Sequence, residues 1–212
     1  MRIGVIGGSG LYDMEGLEGV VSKKVTTPFG DPSDAFVCGT MGGKEVFFLP
    51  RHGKGHRILP SEINYKANIY AFKMLGADQV ISVSAVGSLK EENRPRDIVL
   101  PDQYFDRTKG SLGHTFFGKG VVGHISFFEP TCPELRAQIA SCAKKVIDNS
   151  KKKLDVRVSD GGTYINMEGP AFSTRAESHV YRSLGFDIIG MTSLPNTSRQ
   201  QVGQIPAQEG RL

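Results

Sequence analysis

Residues 46–57 read Val-Phe-Phe-Leu-Pro-Arg-His-Gly-Lys-Gly-His-Arg, and this stretch carries the strongest indication of fold and chemistry in the chain. Its apolar start predicts a buried strand that ends at Pro50. The loop that follows is spaced by glycines and carries three permanent cations and two histidines. The planar guanidinium of Arg51 matches an oxyanion better than a lysine does, and glycines let backbone N–H groups approach it closely. We therefore expect an anion site here; the alternative is a solvated basic loop.

The segments on both sides of this loop predict an α/β fold. A buried strand over Arg2–Ile6 ends in a glycine cluster, and Gly42-Gly43 favours a tight hairpin turn between strands at Ala35–Thr40 and Glu45–Leu49. A helix is predicted over Ser61–Leu75, with Gly76 as its stop, and the next strand over Gln79–Val83. The predicted stripe of this helix comprises Ile63, Ala67, Tyr70, Ala71 and Met74. The order of strand, helix and strand is that of a crossover unit.

The second half continues the alternation of strands and helices. Strands are predicted over Asp97–Leu100, Asp155–Val158, Thr163–Met167 and Asp187–Thr192, and helices over Pro133–Ile147 and Ser173–Leu184. The apolar face of the first of these helices would be Leu135, Ile139, Cys142 and Val146. Residues 101–124 are expected to form a long functional loop. We expect one domain over 1–194 and a divergent, disordered tail over 195–212, where no periodicity remains.

The composition excludes several classes of protein. With 39% hydrophobic and 23% charged residues, the chain is that of a globular protein, and a net charge of +4 without tryptophan or an Arg-rich aromatic run argues against nucleic-acid binding. The lysines at 144–145 and 151–153 are interpreted as a solvated face. Three cysteines in no C-x-x-C pair indicate neither a disulfide framework nor a zinc site, which favours the cytoplasm. The chain has no predicted signal peptide and no apolar run long enough for a membrane span.

Four other site types fit the motifs poorly. The glycine cluster after the first strand lacks the third glycine and the helix of a dinucleotide fingerprint, and Lys44 is followed by Glu45 instead of the Ser or Thr of a Walker loop. Glycines and cations around His52 and His56 disfavour a metal site. The serine of Gly7-Gly8-Ser9-Gly10 is not followed by the helix that a nucleophile elbow requires. No metal is therefore expected.

Several predicted strands end in hydroxyl, glycine or Arg-His chemistry. These ends are Ser9, Arg51-His52, Ser84-Ala85 and Met191-Thr192. In an α/β sheet the carboxyl ends of strands can converge on one crevice. Hydroxyls, one guanidinium and exposed amides suit a small tetrahedral oxyanion such as phosphate.

The chain resembles the methylthioadenosine phosphorylase branch of the purine nucleoside phosphorylase family from its first strand to about Leu194. The resemblance is carried by residues 6–11 (Ile-Gly-Gly-Ser-Gly-Leu), 27–30 (Thr-Pro-Phe-Gly), 32–35 (Pro-Ser-Asp-Ala), 51–53 with 60–61, 64–69, 84–89, 102–103, 106–108 and 168–177. It implies a nucleoside phosphorylase-like fold, a mixed twisted sheet flanked by helices. It further implies phosphorolysis of 5′-methylthioadenosine to adenine and 5-methylthioribose 1-phosphate, with phosphate as co-substrate, no cofactor and a homotrimeric assembly.

The resemblance also implies the roles of individual residues. Phosphate would be held by Ser9, Arg51, His52, Ser84, Ala85 and Thr192, the sugar would contact Met191, the base would contact Phe172 and Ser173, and His124 would border the alkylthio end. Because Ser173 stands where plain nucleoside phosphorylases carry a glutamate, a 6-amino purine is favoured.

One part of the family pattern has no counterpart in this sequence. In the family, a further helix and strand follow the strand that ends at Thr192, and that strand bears an aspartate that protonates the leaving purine. The resemblance therefore implies a shortened domain without a catalytic aspartate, in which activity is impaired. A methylthioinosine or other purine nucleoside phosphorylase, a non-catalytic phosphate- or nucleoside-binding remnant and an NAD-linked enzyme remain as alternatives.

Overall fold

The computed structural model describes residues 1–8, 15–109, 115–118, 120–151 and 154–194, and these form two compact units. The first unit comprises residues 1–85 with the described part of 110–125, and the second comprises 86–109 and 126–194. Both combine strands with helices, so the predicted α/β class with mixed sheets is confirmed. The tail predicted over 195–212 lies outside the described residues.

The first unit contains a five-stranded sheet with a parallel and an antiparallel part. Its strands are β1 (Arg2–Gly7), β2 (Glu18–Lys23), β3 (Phe36–Met41), β4 (Lys44–Pro50) and β5 (Gln79–Val83). Their order is β2-β3-β4-β1-β5; β1 runs parallel to β4 and β5, whereas β3 runs antiparallel to both β2 and β4. Strand β2 was not predicted from the sequence, because its exposed residues show no apolar alternation. The edge position of β2 explains that exposure.

The hairpin of β3 and β4 was predicted and is confirmed. Gly42 and Gly43 both have positive φ angles, 54° and 73°, as a type I′ turn requires. The turn fixes the register, so that Phe47 and Leu49 point into the core of the first unit. The hairpin thereby places β4 between β3 and β1, and the basic loop begins directly after Pro50.

The helix of the first unit, α1 (Tyr65–Met74), begins later than predicted. A 3₁₀ turn over Pro60–Glu62 precedes it, and the side chain of Asn64 caps it by accepting a hydrogen bond from the backbone N–H of Ala67. The helix ends as predicted at Gly76, which has a φ of 76°. The predicted apolar stripe was wrong at Met74, which is 53% exposed, because the helix instead buries Phe72.

Phe72 joins the helix to the sheet. Its ring meets Phe36 edge-on at a centroid distance of 4.9 Å, and a Cβ on Gly4 would lie 2.6 Å from the same ring. Only glycine at position 4 lets β1 approach α1 so closely. The core around this contact contains Ile6, Phe36, Cys38, Phe47, Leu49, Ile69, Ala71 and Phe72.

The second unit contains a four-stranded and a two-stranded sheet. Its elements are β6 (Gly87–Ser88), β7 (Ile98–Leu100), β8 (Gln103–Arg107), α2 (Pro133–Asp148), β9 (Val158–Asp160), β10 (Thr163–Met167), α3 (Arg175–Ser183) and β11 (Ile188–Gly190). The larger sheet has the order β6-β11-β10-β8, in which only β6 is antiparallel to its neighbour, and β7 pairs with β9 in parallel.

Three sequence predictions need correction in this unit. The predicted loop over 101–124 contains β8, in which Gln103, Phe105 and Asp106 are exposed, so that buried and exposed residues do not alternate regularly. The strand predicted over Asp155–Val158 is β9, which begins three residues later, at Val158. Strand β11 is shorter than the strand predicted over Asp187–Thr192. Thr192 therefore follows a strand end at a distance of two residues instead of closing the strand.

The helices of this unit differ in how well the sequence predicted them. The capping box of Thr174 and Glu177 at the start of α3 is confirmed, with hydrogen bonds of 2.8 and 3.2 Å. The apolar face predicted for α2 is wrong at Cys142 and Val146, which are exposed, because α2 buries Ala140 instead. Among the described residues, no helix combines the length and apolar character needed to cross a membrane.

Candidate functional site

The carboxyl ends of β4, β1 and β5 lie side by side in the first unit. In the ladder, Gly7 of β1 is level with Pro50 of β4 and with Val83 of β5. The residues that follow these ends therefore emerge at one edge of the sheet, as predicted for Arg51 and Ser84. Ser9, predicted at the end of β1, lies outside the described residues.

Arg51 connects the three strand ends. Its backbone N–H donates to the Gly7 carbonyl at 2.9 Å, and Nη1 donates to the Val83 carbonyl at 3.2 Å. A Cβ on Gly8 would lie 3.5 Å from Nη2, so the guanidinium passes directly over the backbone after β1. The residue is only 3% exposed, and a buried guanidinium creates a strong positive potential at this edge.

His52 is also buried and has both ring nitrogens in hydrogen bonds. Nδ1 lies 2.8 Å from the Ile58 carbonyl, and Nε2 lies 3.4 Å from Arg51 Nε. Burial lowers the pKa of His52, and the neighbouring Arg51 and His56 lower it further, while the hydrogen bond to Ile58 opposes the shift. The imidazole is therefore neutral near pH 7.

The loop after β4 is compact and is fixed by Asp34. Asp34 Oδ2 accepts hydrogen bonds from the backbone N–H of Lys54 at 2.7 Å and from Arg57 Nη2 at 3.4 Å. Gly53 and Gly55 have positive φ angles of 69° and 84°. The predicted cluster of three cations is therefore one buried guanidinium and two exposed cations, one of which pairs with a carboxylate.

A buried amide supports the segment that carries Asp34. Asn68 of α1 accepts from the backbone N–H of Ser33 at 2.8 Å and donates to its hydroxyl at 2.9 Å. These two bonds attach residues 33–34 to the helix. Sequence reasoning did not select Asp34 or Asn68 as site residues; both lie within the motifs that carried the resemblance, which was the available signal.

Ser84 and Ala85 follow β5 directly. Ser84 is partly buried and Ala85 is exposed, and the carbonyl of Val83 before them accepts the bond from Arg51. Their hydroxyl and amide groups thus begin at the same strand end as the guanidinium contact. His124, also in the first unit, is exposed.

The remaining predicted residues lie in the second unit, after β11 and in the loop before α3. Thr192 is buried, and the sulfur of Met191 lies against Gly169, where a Cβ would come within 2.7 Å of Sδ. The same loop carries Phe172, whose side chain is 85% exposed, and Ser173, whose hydroxyl lies 2.9 Å from that of Ser178. This unit therefore gathers the residues predicted for the sugar and base.

Polar side chains hold the segment after Thr192. Asn166 accepts from the backbone N–H of Leu194 at 3.2 Å, and the hydroxyls of Ser193 and Tyr104 lie 2.9 Å apart. Neither Asn166 nor Tyr104 was singled out from the sequence. Within the described residues, no group of three His, Cys, Asp or Glu side chains could hold a metal ion.

Comparison with known proteins gives consistent similarities. The sequence profile of the Phosphorylase superfamily matches residues 2–196. S-methyl-5′-thioadenosine phosphorylase of Koribacter versatilis is 56% identical over 193 residues, which are 91% of this chain and 63% of that protein. The protein of the same name from Geobacter sulfurreducens is 55% identical over 203 residues, with 96% and 68% covered. The chain thus spans about two thirds of the length of these curated relatives.

Solved structures show the same similarity. A methylthioadenosine phosphorylase from an antarctic soil metagenomic library is 51% identical and has a TM-score of 0.84, with 92% of this chain and 66% of that one covered. Methylthioadenosine phosphorylase from Schistosoma mansoni, solved in complex with adenine, is 38% identical and has a TM-score of 0.86, with 96% and 78% covered.

Proposed function

We propose that this chain, which belongs to the phosphorylase superfamily, uses inorganic phosphate to cleave 5′-methylthioadenosine into adenine and 5-methylthioribose 1-phosphate. The observation that carries the proposal is the buried guanidinium of Arg51 at the point where three parallel strands end. The names of the curated relatives support this choice of nucleoside.

Phosphate is the nucleophile in this reaction. One phosphate oxygen bonds to C1′ of the ribose while the C1′–N9 bond breaks, and the electron pair of that bond leaves with the purine, which takes up a proton. The sugar passes through an oxocarbenium-like state. The site therefore has to hold phosphate against C1′ and place negative charge beside the developing cation.

The residues at the three strand ends suit the first of these tasks. Arg51 supplies the permanent charge, and Ser84 and Ala85 supply a hydroxyl and a backbone amide for orientation. On the basis of the resemblance we extend the phosphate site to Ser9 and Thr192 as donors and to His52 as the residue beside Arg51. The other assigned donors are neutral hydroxyl and amide groups, so the positive charge that favours an anion comes from Arg51.

The loop before α3 suits the purine. The exposed ring of Phe172 offers a face on which a purine can stack, and the neutral hydroxyl of Ser173 is compatible with a 6-amino group. Met191 would contact the sugar and His124 the alkylthio end. No residue of this chain is assigned to protonation of the purine.

The test is phosphate-dependent adenine release. The purified 212-residue chain is incubated with 5′-methylthioadenosine, with and without phosphate, and adenine is quantified by chromatography. We expect adenine only when phosphate is present. Methylthioinosine is run in parallel, and faster hypoxanthine release would favour the inosine-specific alternative.

A melting experiment separates the remaining alternatives. No turnover combined with saturable stabilisation by phosphate would indicate a binding protein without activity, because a ligand of the native state raises the melting temperature. Stabilisation by NAD and none by phosphate would overturn the proposal. Sodium chloride at equal ionic strength is the control for non-specific salt effects.

We further propose a homotrimer in the cytoplasm. Support comes from exposed large apolar side chains in the described chain, including Val122 and Phe128, which are more often buried in an interface than left in water. Three cysteines without a disulfide support the cytoplasm. Light scattering of the purified chain tests the assembly; a monomer at micromolar concentration would contradict it.

A further inference from the structure

We propose that the imidazole of His52 positions Arg51 and does not bind phosphate itself, and that the ring of His56 holds His52 in this role. The inference refines the proposed phosphate site and rests on it. It distinguishes the groups of Arg51 and His52 that bind the anion from those that only orient the binding groups.

The hydrogen bonds of His52 leave its ring no donor for an anion. A carbonyl can only accept, so Nδ1 carries the proton that is donated to Ile58. In the neutral imidazole Nε2 is then an acceptor, and it faces Arg51 Nε at 3.4 Å. A phosphate oxygen is also an acceptor and would be repelled by the Nε2 lone pair.

The same bonds define the orientation of the guanidinium. Nε is directed to His52 and Nη1 to the carbonyl of Val83, 32 residues away in sequence. Two directed bonds fix the plane of a rigid group, and they therefore fix Nη2, which lies over Gly8. A guanidinium placed in advance avoids the entropy loss of ordering a long side chain when the anion binds.

His56 contributes a ring stack on the outer side of His52. The ring centroids are 4.3 Å apart and the planes are inclined by 27°. His56 itself has a φ of 54°, a left-handed conformation that glycine adopts more easily. Few non-glycine residues adopt this conformation, and in His56 it coincides with the stack of its ring on His52.

The tautomer of His52 tests the first half of the proposal without any need for turnover. Long-range proton–nitrogen correlation spectra of the uniformly nitrogen-15-labelled chain at pH 7.5 distinguish the two neutral tautomers and the cation. We expect His52 to carry its proton on Nδ1, both without and with saturating inorganic phosphate. A proton on Nε2, or its appearance there when phosphate is added, would overturn the proposal.

Two His52 variants test whether His52 affects phosphate binding through Arg51. His52→Gln keeps an acceptor at the position of Nε2 and loses the donor to Ile58, whereas His52→Asn does the reverse. If His52 acts through Arg51, the Gln variant retains the lower KM for phosphate of the two. The opposite order would show that the bond to Ile58, and hence loop folding, accounts for the effect.

The role of His56 is tested with His56→Gly, which removes the ring and places at φ 54° a residue that adopts this conformation without strain. We expect the KM for phosphate to rise about threefold to tenfold, with kcat and the KM for the nucleoside unchanged. His179→Gln, which removes an exposed imidazole on α3, is the matched control and should equal the wild type. An unchanged KM for phosphate in His56→Gly would contradict the inference.

These outcomes are separable from failure of the proposed function. If the wild-type chain neither turns over nor is stabilised by phosphate, the proposed function fails, and the tautomer still reports the bonding of His52. If the wild type is active and His52 carries its proton on Nε2, the function stands and the positioning role fails.

Discussion

The residues assigned to phosphate in the first unit and those assigned to the purine in the second are built differently. Arg51 and His52 are buried and held by hydrogen bonds to the main chain, whereas Phe172 is 85% exposed and the Ser173 hydroxyl pairs with that of Ser178. A charged ligand needs donors that are already oriented, because reorienting them costs binding energy. An aromatic base needs mainly an accessible ring face. The rigid, hydrogen-bonded residues of the site are therefore those assigned to the anion.

Removal of the guanidinium should have the largest effect. We expect Arg51→Ala to lower kcat/KM for phosphate about a hundredfold to a thousandfold, as is typical for loss of one preorganised group that stabilises charge. Arg51→Lys should recover only part of the loss, since a lysine lacks the planar fork. Steady-state kinetics at varied phosphate measure both, and melting curves without phosphate control for misfolding. A variant with wild-type kinetics would remove Arg51 from the site.

Removal of the exposed ring in the second unit should have a smaller and different effect. Phe172→Ala should raise the KM for the nucleoside about fivefold or more, because stacking on an aromatic ring contributes about 1–3 kcal/mol per base. The KM for phosphate should not change. Because the ring is exposed, the melting temperature should also stay within about 2 °C of the wild type. An equal change in both KM values would argue against the division of labour between the two regions.

Removal of the Asp34 carboxylate, which supports the basic loop, should have a smaller effect, and this effect should be on stability. Asp34→Ala removes the acceptor of the Lys54 N–H, and the loss of one such hydrogen bond costs about 1 kcal/mol, or about 2–4 °C in melting temperature. Glu45→Ala is the control, because Glu45 forms an exposed ion pair with Arg2 at 2.8 Å and should contribute less. Equal shifts in the two variants would show that Asp34 is only a surface carboxylate.

The two units should also differ in their response to acid. The Arg157 backbone N–H and the Arg94 side chain lower the pKa of Asp97 in the second unit to about 2. Its folded pKa lies below its unfolded value of about 3.9, so its stabilisation is complete above that pH and is lost as the pH falls toward 2. His52, whose pKa is also lowered, should begin to destabilise the first unit below its unfolded value of about 6.5.

Urea unfolding from pH 7 to pH 2 measures this difference. His52→Gln should flatten the stability profile below about pH 6.5, and Asp97→Asn should flatten it between about pH 4 and 2. Variants that change the profile in the other window would contradict the assignment of these groups.

Sequence reasoning predicted the parts of the fold that local rules determine. The Gly42-Gly43 turn, the Thr174–Glu177 cap and the Gly76 stop each depend on residues within a few positions of one another, and each is confirmed. Strand β2 and strand β8 were missed because edge and half-exposed strands lack a clear apolar alternation.

In the candidate site, too, the features set by neighbouring residues were predictable and those set by distant contacts were not. The strand-end position of Arg51 was predictable from Pro50 and the apolar run before it. The role of His52 was not, because it depends on a bond to Ile58 and a stack on His56 that only the folded loop creates. Asp34 bonds the loop across 20 residues and Asn68 bonds Ser33 across 35 residues, distances at which sequence spacing carries no information.

The order of strands in the first sheet has a kinetic consequence. Strands β3 and β4 are joined by two glycines and can pair as soon as that turn closes, but β4 meets β1 and β1 meets β5 only after long segments of chain are brought together. Arg51 finds the carbonyls of Gly7 and Val83 only when all three strands are in place. The anion site should therefore be among the last features to form during folding, and phosphate should slow unfolding without accelerating the formation of the hairpin.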